Sequence, residues 1–228
     1  MKCLILAGGF GTRLYPLTIN QAKVLLEYKG KPIISHIVNK IPQNINIMVN
    51  TNKKFEADFQ KWQRNLNREV EILVEEALSE EQKLGAVGSL SFWIKNKRIA
   101  EDLLVIAGDN YFEFALSQFI ARYDGKHTLV AVSDIGDKDK ATQFGVVQLD
   151  EDRIAGFQEK PAKTKSSLVA IACYIFPQRV FPLLRQYCQQ GKRDNLGSFI
   201  AYLVSHEQVY AYTFTEPWVD IGSIEDLA

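Results

Sequence analysis

Near the N-terminus, Gly8, Gly9 and Gly11 lead directly into Thr12 and Arg13. Glycine amides unshielded by a Cβ can approach an anion closely, and a planar guanidinium suits two phosphate oxygens at once. The spacing predicts a phosphate-binding loop made of Leu6, Ala7, Gly8, Gly9, Gly11, Thr12 and Arg13. It is not a dinucleotide fingerprint. Leu14 stands where that pattern needs its third glycine, and the apolar run over 45–51 ends in Asn50 and Thr51 rather than in an acid. Nor is it a Walker A loop, which requires Gly-Lys-Ser/Thr after its spacer.

Two aspartates and a Glu-Lys pair complete the chemically able set. Asp109 closes the run Val-Ile-Ala-Gly-Asp over 105–109, and Asp220 stands in Trp-Val-Asp-Ile-Gly over 218–222. Each offers a hard oxygen ligand of the kind Mg²⁺ takes singly or in pairs while keeping several waters. Glu159 and Lys160, followed by Pro161, would read as a solvated turn in isolation. As chemistry, a carboxylate can accept from hydroxyl groups and an adjacent ammonium can neutralise a phosphate.

These residues need a frame that holds strand ends together. Apolar runs at 2–6, 44–50, 70–75 and 103–107 alternate with amphipathic segments at 33–40, 54–65 and 85–96, which argues for parallel strands covered by helices. The second half is richer in strands, at 128–133, 145–149, 153–158, 168–176 and 208–214, with helical patterns at 115–123, 179–190 and 196–204. The expected fold class is α/β, a Rossmann-like three-layer sandwich on a mixed, mostly parallel central sheet. No linker or repeat divides the chain, so residues 1–228 are expected to form a single domain, about 1–125 for a nucleotide and about 126–228 for a second substrate. In open α/β sheets, ligands lie beyond the carboxyl ends of the strands, and Gly8, Asp109 and Asp220 all follow apolar runs.

Composition narrows the partners. The chain has 228 residues, long enough for one sizeable core. It carries 27 Lys+Arg against 27 Asp+Glu, which gives no basic field for nucleic acid. Cys3, Cys173 and Cys188 lack metal-ligand spacing and read as free thiols in a reducing compartment. No stretch is long enough to span a bilayer, and the apolar start turns into Gly-Gly too soon for a signal peptide. A cytoplasmic location is expected.

The string Leu-Ala-Gly-Gly-x-Gly-Thr-Arg-Leu-x-Pro-Leu-Thr, which ends at Thr18, resembles the sugar-1-phosphate nucleotidyltransferases, or nucleoside-diphosphate-sugar pyrophosphorylases. Within that family the glucose-1-phosphate thymidylyltransferases are the nearest type. The resemblance implies Mg²⁺-dependent transfer of a nucleotidyl group from a nucleoside triphosphate to a sugar-1-phosphate, with release of pyrophosphate. It implies that Arg13 and Lys23 stabilise charge during displacement at the α-phosphorus. Asp109 and Asp220 would hold the metal, Asp109 beside the nucleotide. Gly85 and Gly88, in Leu-Gly-Ala-Val-Gly, would pass beside the base. Gly145 would offer its backbone to the sugar, Glu159 would accept from ring hydroxyls, Lys160 would grip the sugar phosphate, and Tyr174 would stand at the sugar pocket. An ionised phosphate nucleophile needs no general base, in keeping with the absence of His36, His127 and His206 from these strings.

The chain also departs from the family pattern. Ala22 and Val24 replace two prolines around Lys23, which is expected to loosen that loop, and Ala172 replaces a glycine, adding a methyl near the sugar. The sequence given ends at Ala228, short of the helices or β-helix domain with which many relatives continue, although the catalytic core is expected to be whole. A homo-oligomer is compatible with it. Leu-Gly-Ala-Val-Gly suits mannose- or heptose-1-phosphate guanylyltransferases equally. A choline-phosphate cytidylyltransferase would need an aromatic cage, to which Trp218 and Tyr174 could contribute. A non-catalytic sugar-nucleotide sensor would have been expected to lose Arg13, Lys23 or one aspartate, and all are present.

Overall fold

The computed structural model describes residues 1–227. In chain order the strands are β1 (Lys2–Leu6), β2 (Glu27–Tyr28), β3 (Lys31–Pro32), β4 (Ile47–Asn52), β5 (Val70–Glu75), β6 (Leu103–Ala107), β7 (Asn110–Phe112), β8 (Thr128–Asp134), β9 (Gly145–Asp150), β10 (Arg153–Glu159), β11 (Leu168–Phe176), β12 (Val209–Phe214) and β13 (Trp218–Asp220). The helices are α1 (Ile33–Lys40), α2 (Glu56–Arg64), α3 (Ala86–Asn96), α4 (Leu116–Ala121), α5 (Lys138–Ala141), α6 (Phe181–Gln189) and α7 (Leu196–Val204).

Nine strands form the central sheet in the order β5-β4-β1-β6-β11-β8-β12-β10-β9. Pairing is parallel from β5 to β6 and again between β12 and β8, and antiparallel elsewhere. The sheet is therefore mixed as expected, but parallel pairing dominates only in the first half. The side chains of β1 alternate between two cores, as the two-residue period of a strand requires. Cys3 and Ile5 pack with Ile34, Phe59 and Phe119 on one face, while Leu4 packs with Val87, Phe181 and Ile200 on the other. Helices α1, α2 and α4 thus cover one face and α3, α6 and α7 the other, completing three layers. Each large apolar side chain so buried contributes about 1.5–3 kcal/mol.

One strand decides where the site can be. β11 pairs with β9 through Val169 and Ala170, and with β6 through Cys173 to Phe176. It changes partner at Ala172, whose φ of +54° kinks the strand at an irregularity between Ala170 and Tyr174. The positive φ explains why a glycine is expected there: a left-handed residue with a Cβ costs roughly 1–2 kcal/mol. The sheet forks at this kink, and the gap between the end of β6 and the start of β9 is a cleft.

Among the described residues no helix is long and apolar enough to cross a membrane. The three cysteines are free, with Cys3 and Cys173 buried.

Candidate active site

The loop after β1 is braced from below. Ala7 N donates to Asn50 Oδ1 (2.9 Å), and Asn50 Nδ2 donates to Glu75 Oε1 (2.7 Å). Trp93 Nε1 donates to the same Glu75 oxygen at 3.2 Å, and Asn52 Nδ2 to Gly8 O at 3.1 Å. Asn50, Asn52 and Glu75 are all buried at the ends of β4 and β5. A Cβ on Gly8 would lie 2.9 Å from Asn50 Nδ2. The loop's first glycine therefore serves this network, whereas Gly9 has open space beside it. Sequence reasoning missed the network. Its only signal was the polar run Asn50-Thr51-Asn52 closing an apolar strand. Farther along, Gly11 has φ +64° and gives its carbonyl to Thr18 Oγ1 at 2.7 Å.

Lys23 and Asp109 meet across the loop. Lys23 Nζ donates to Asp109 Oδ2 at 2.7 Å, and Lys23 is only 8% exposed. The loop around Lys23 holds without the expected prolines. Leu25 N and Leu26 N return to Ala22 O and Lys23 O (2.9 and 3.0 Å), and Ala22 and Val24 are buried. Val24 packs against Gly108, where a Cβ would stand 3.2 Å from its Cγ1. Side-chain burial and a single 3-10 turn thus hold the chain where the prolines were expected.

The short strands β7 and β13 bring the second carboxylate in. Asp220 stands opposite Asn110 in their antiparallel pair, and Ile221 N donates to Asp109 O at 3.1 Å. Trp218 Nε1 donates to Asn110 Oδ1 at 2.6 Å and fixes the register. Burial, and then the neighbouring Asp109, push the Asp220 carboxyl up to about 6, against the pull of Lys23 and Arg13. The turn after Asp220 is pinned by Asp226 Oδ2, which accepts from Gly222 N (2.9 Å) and Ser223 N (2.7 Å).

A cavity of about 770 Å³ opens at the fork of the sheet, lined by Arg13, Asp109 and Asp220 on one side and by Gly145, Glu159, Lys160 and Tyr174 on the other. A second recess of about 200 Å³ lies under the β1 loop, bounded by Leu6, Ala7, Gly9, Gly11, Thr12 and Lys23. Arg13 and Asp109 line both. Glu159 is half-buried, and that burial holds its carboxyl above the usual range, with Lys160 only partly offsetting it. Lys160 is exposed, turned by a φ of +44°, and its N–H reaches Phe144 O at 3.0 Å. Tyr174 is 2% exposed, and burial drives its phenol well above the ordinary range.

Three of the glycines singled out from the sequence have a packing task. A Cβ on Gly145 would strike Phe157 Cζ at 2.4 Å. Gly85 has φ +76°, and its Cβ would strike Arg193 O at 2.4 Å, while the Cβ of Gly88 would lie 3.5 Å from Arg193 Cβ. The first amides of α3 are already bonded: Ala86 N to Asp194 O (2.8 Å), and Val87 N and Gly88 N to Arg193 O (both 3.0 Å). Gly85 and Gly88 therefore face the segment around Arg193, while Ala86 between them lines the larger cavity.

Whether a divalent cation fits can be judged from the donors. Among the described residues no group of three or more His, Cys, Asp or Glu side chains converges. The pair Asp109 and Asp220 is nonetheless the contribution Mg²⁺ asks of a protein when phosphates and waters supply the rest. Their mutual repulsion, visible in the raised Asp220, is what a cation between them would relieve.

Comparison with known proteins agrees with this layout. Residues 2–228 match the family described as "Nucleotidyl transferase". The chain is 31% identical to the bifunctional protein GlmU of Methanocaldococcus jannaschii, over 100% of its own length and 52% of the relative's. It is 26% identical to a mannose-1-phosphate guanyltransferase of Sulfolobus acidocaldarius so described provisionally, covering 99% of this chain and 61% of that one. The chain thus spans about half the length of the GlmU relatives it matches. A crystal structure provisionally described as a glucose-1-phosphate thymidylyltransferase from Bacillus anthracis superposes with a TM-score of 0.84 at 24% identity, over 100% of this chain and 92% of that one. A UDP-glucose pyrophosphorylase bound to UDP-glucose gives 0.81 at 19% identity, over 99% of this chain and 95% of that one. At such identities these two establish the fold.

Proposed function

We infer the reaction from one premise: the chain belongs to the nucleotidyl transferase family. It is a nucleotidyltransferase, and we propose that it joins a nucleoside triphosphate to a sugar-1-phosphate, releasing pyrophosphate. The observation that carries this reading is the meeting of two cavities at Arg13 and Asp109. The smaller recess, lined by Gly9 and Gly11, takes the triphosphate, and the larger one takes the sugar phosphate.

The roles follow from charge and placement. Arg13, exposed at the junction, and Lys23, 2.7 Å from Asp109, face the region where negative charge accumulates. Fixed cations there stabilise the transition state without reorganising. Glu159 accepts from sugar hydroxyls, Lys160 neutralises the sugar phosphate, and that phosphate attacks the α-phosphorus in line with the leaving pyrophosphate. The nucleophile is already ionised, so no side chain need remove a proton. Asp109 and Asp220 would hold Mg²⁺, which when bound would offset phosphate charge and align the two substrates. Asn50, which accepts from Ala7 N, braces the β1 loop beside the recess.

For the substrate pair we propose dTTP and glucose-1-phosphate, supported by the string around Gly8 to Thr18. GTP with a mannose phosphate is the second reading, favoured by the likeness to mannose-1-phosphate guanyltransferases. The test is a matrix of four triphosphates against glucose-, mannose- and N-acetylglucosamine-1-phosphates, with Mg²⁺, read by pyrophosphate release. Turnover with dTTP and glucose-1-phosphate supports the first pair, turnover with GTP and mannose-1-phosphate the second, and silence throughout overturns the reading.

A further inference from the structure

Gly197 is the second residue of α7, a nine-residue helix whose first turn faces the larger cavity. Glycine inside a helix gives up about 1 kcal/mol relative to alanine, and here no positive φ calls for it. The reason lies across the cavity wall. A Cβ on Gly197 would stand 1.8 Å from Glu159 Oε2 and 2.7 Å from Glu159 Cδ. A Cβ on Gly145, the cross-strand partner of Glu159 on β9, would stand 3.1 Å from the same Oε2. The carboxylate therefore fills a slot between two glycines. The α7 end of the slot is anchored. Asn195 Oδ1 accepts from Ser198 N at 2.7 Å, and the carbonyls of Arg193 and Asp194 take the first amides of α3. Gly197 is buried, so the slot cannot widen by moving its backbone outward.

We propose that Gly197 is a positioning residue for the sugar substrate: it seats the Glu159 carboxylate in the cavity, and residues 193–195 fix that seat by tying α7 to α3. The proposal rests on the nucleotidyl-transfer reading, in which Glu159 meets the sugar. A side chain at 197 evicts the carboxylate while leaving the fold, because the atom displaced is the free end of a flexible chain.

The experiment is Gly197→Ala in the full chain, alone and combined with Glu159→Ala. The expected result is an unchanged or higher Tm, since alanine favours the helix. The KM for the sugar-1-phosphate rises about tenfold, the loss of one charge-assisted hydrogen bond, and the KM for the triphosphate stays put. In the Glu159→Ala background, Gly197→Ala adds less than about twofold. A kinetically silent Gly197→Ala, or an effect that persists in full without Glu159, overturns the proposal. A second readout needs no turnover: the Glu159 carboxyl, followed by carbon-detected NMR, titrates above its usual range in the parent and returns towards it in Gly197→Ala. No change between the two overturns the placement of Glu159. A moving titration with no turnover in any substrate pairing retains the slot and removes only the assigned reaction.

Discussion

Lys23 Nζ sits 2.7 Å from Asp109 Oδ2, joining two loops that are 86 residues apart in the chain. Asp109 lines both cavities and Lys23 the smaller, so one ammonium compensates a carboxylate and borders the recess proposed for the triphosphate. Lys23→Met is expected to lower kcat by about 10²–10³, the usual cost of removing one fixed charge stabiliser. The KM values should move much less. Steady-state kinetics with the best substrate pair checks this, and a variant within about threefold of the parent would remove Lys23 from the chemistry.

Asp220 gives a pH signature. Its carboxyl is raised by burial and by Asp109 to about 6, above the ordinary value of about 3.9. Between these values the folded chain holds a proton the unfolded chain has lost, so metal-free stability falls as pH rises through about 4 to 6. Asp220→Asn removes this penalty. It should stabilise the metal-free protein at pH 7.5 by about 3 kcal/mol, much less at pH 4, and abolish turnover. Thermal melts in chelator at both pH values measure it, and equal shifts at the two would contradict the assignment.

Ala172 holds a left-handed backbone at the kink in β11. Ala172→Gly relieves about 1 kcal/mol of strain and should raise Tm by about 2–4 °C for a chain of this size. Removing the methyl also widens the larger cavity, so the variant should turn over bulkier sugar phosphates that the parent handles poorly. Calorimetry and the sugar panel test the two effects separately.

Asn50 serves Ala7 N and Glu75 Oε1 together. Asn50→Leu leaves a buried amide and a buried carboxylate short of partners, at a cost of about 1–3 kcal/mol. Because Gly8 rests on Asn50, the KM for the triphosphate should rise more than that for the sugar phosphate. Denaturant titration and kinetics provide the two readouts.

Much of this site was legible from the sequence because it uses strong local signals. Glycines after an apolar run, and acids at strand ends, mark Gly8 to Arg13, Asp109 and Asp220 directly. What escaped were relations between distant polar residues. Glu75 and Trp93 carry no pattern that points at Asn50, since a buried hydrogen bond leaves no periodicity. Strands β7 and β13, at three residues each, fall below the length at which alternation can be read, yet they place Asp220 beside Asp109. Gly85 signalled special backbone geometry correctly, but its contact partner, Arg193, lies in a distant turn. The departures at Ala22 and Val24 carry no sequence signal of the burial that stands in place of the prolines.

The fork in β11 also bears on how the chain behaves in solution. By pairing with both β9 and β6, β11 leaves β9 bonded on both flanks, and the strands of the second half close into a ring through β8, β12 and β10. Among the described strands of the central sheet, β5 is then the one with an open flank. It carries Glu71, held by Lys97 of the neighbouring turn, and Glu75 at its end. Charge on an edge strand discourages a second sheet from docking there. The kink that opens the cleft thus also removes one of two sticky borders, and guards the protein against edge-to-edge aggregation.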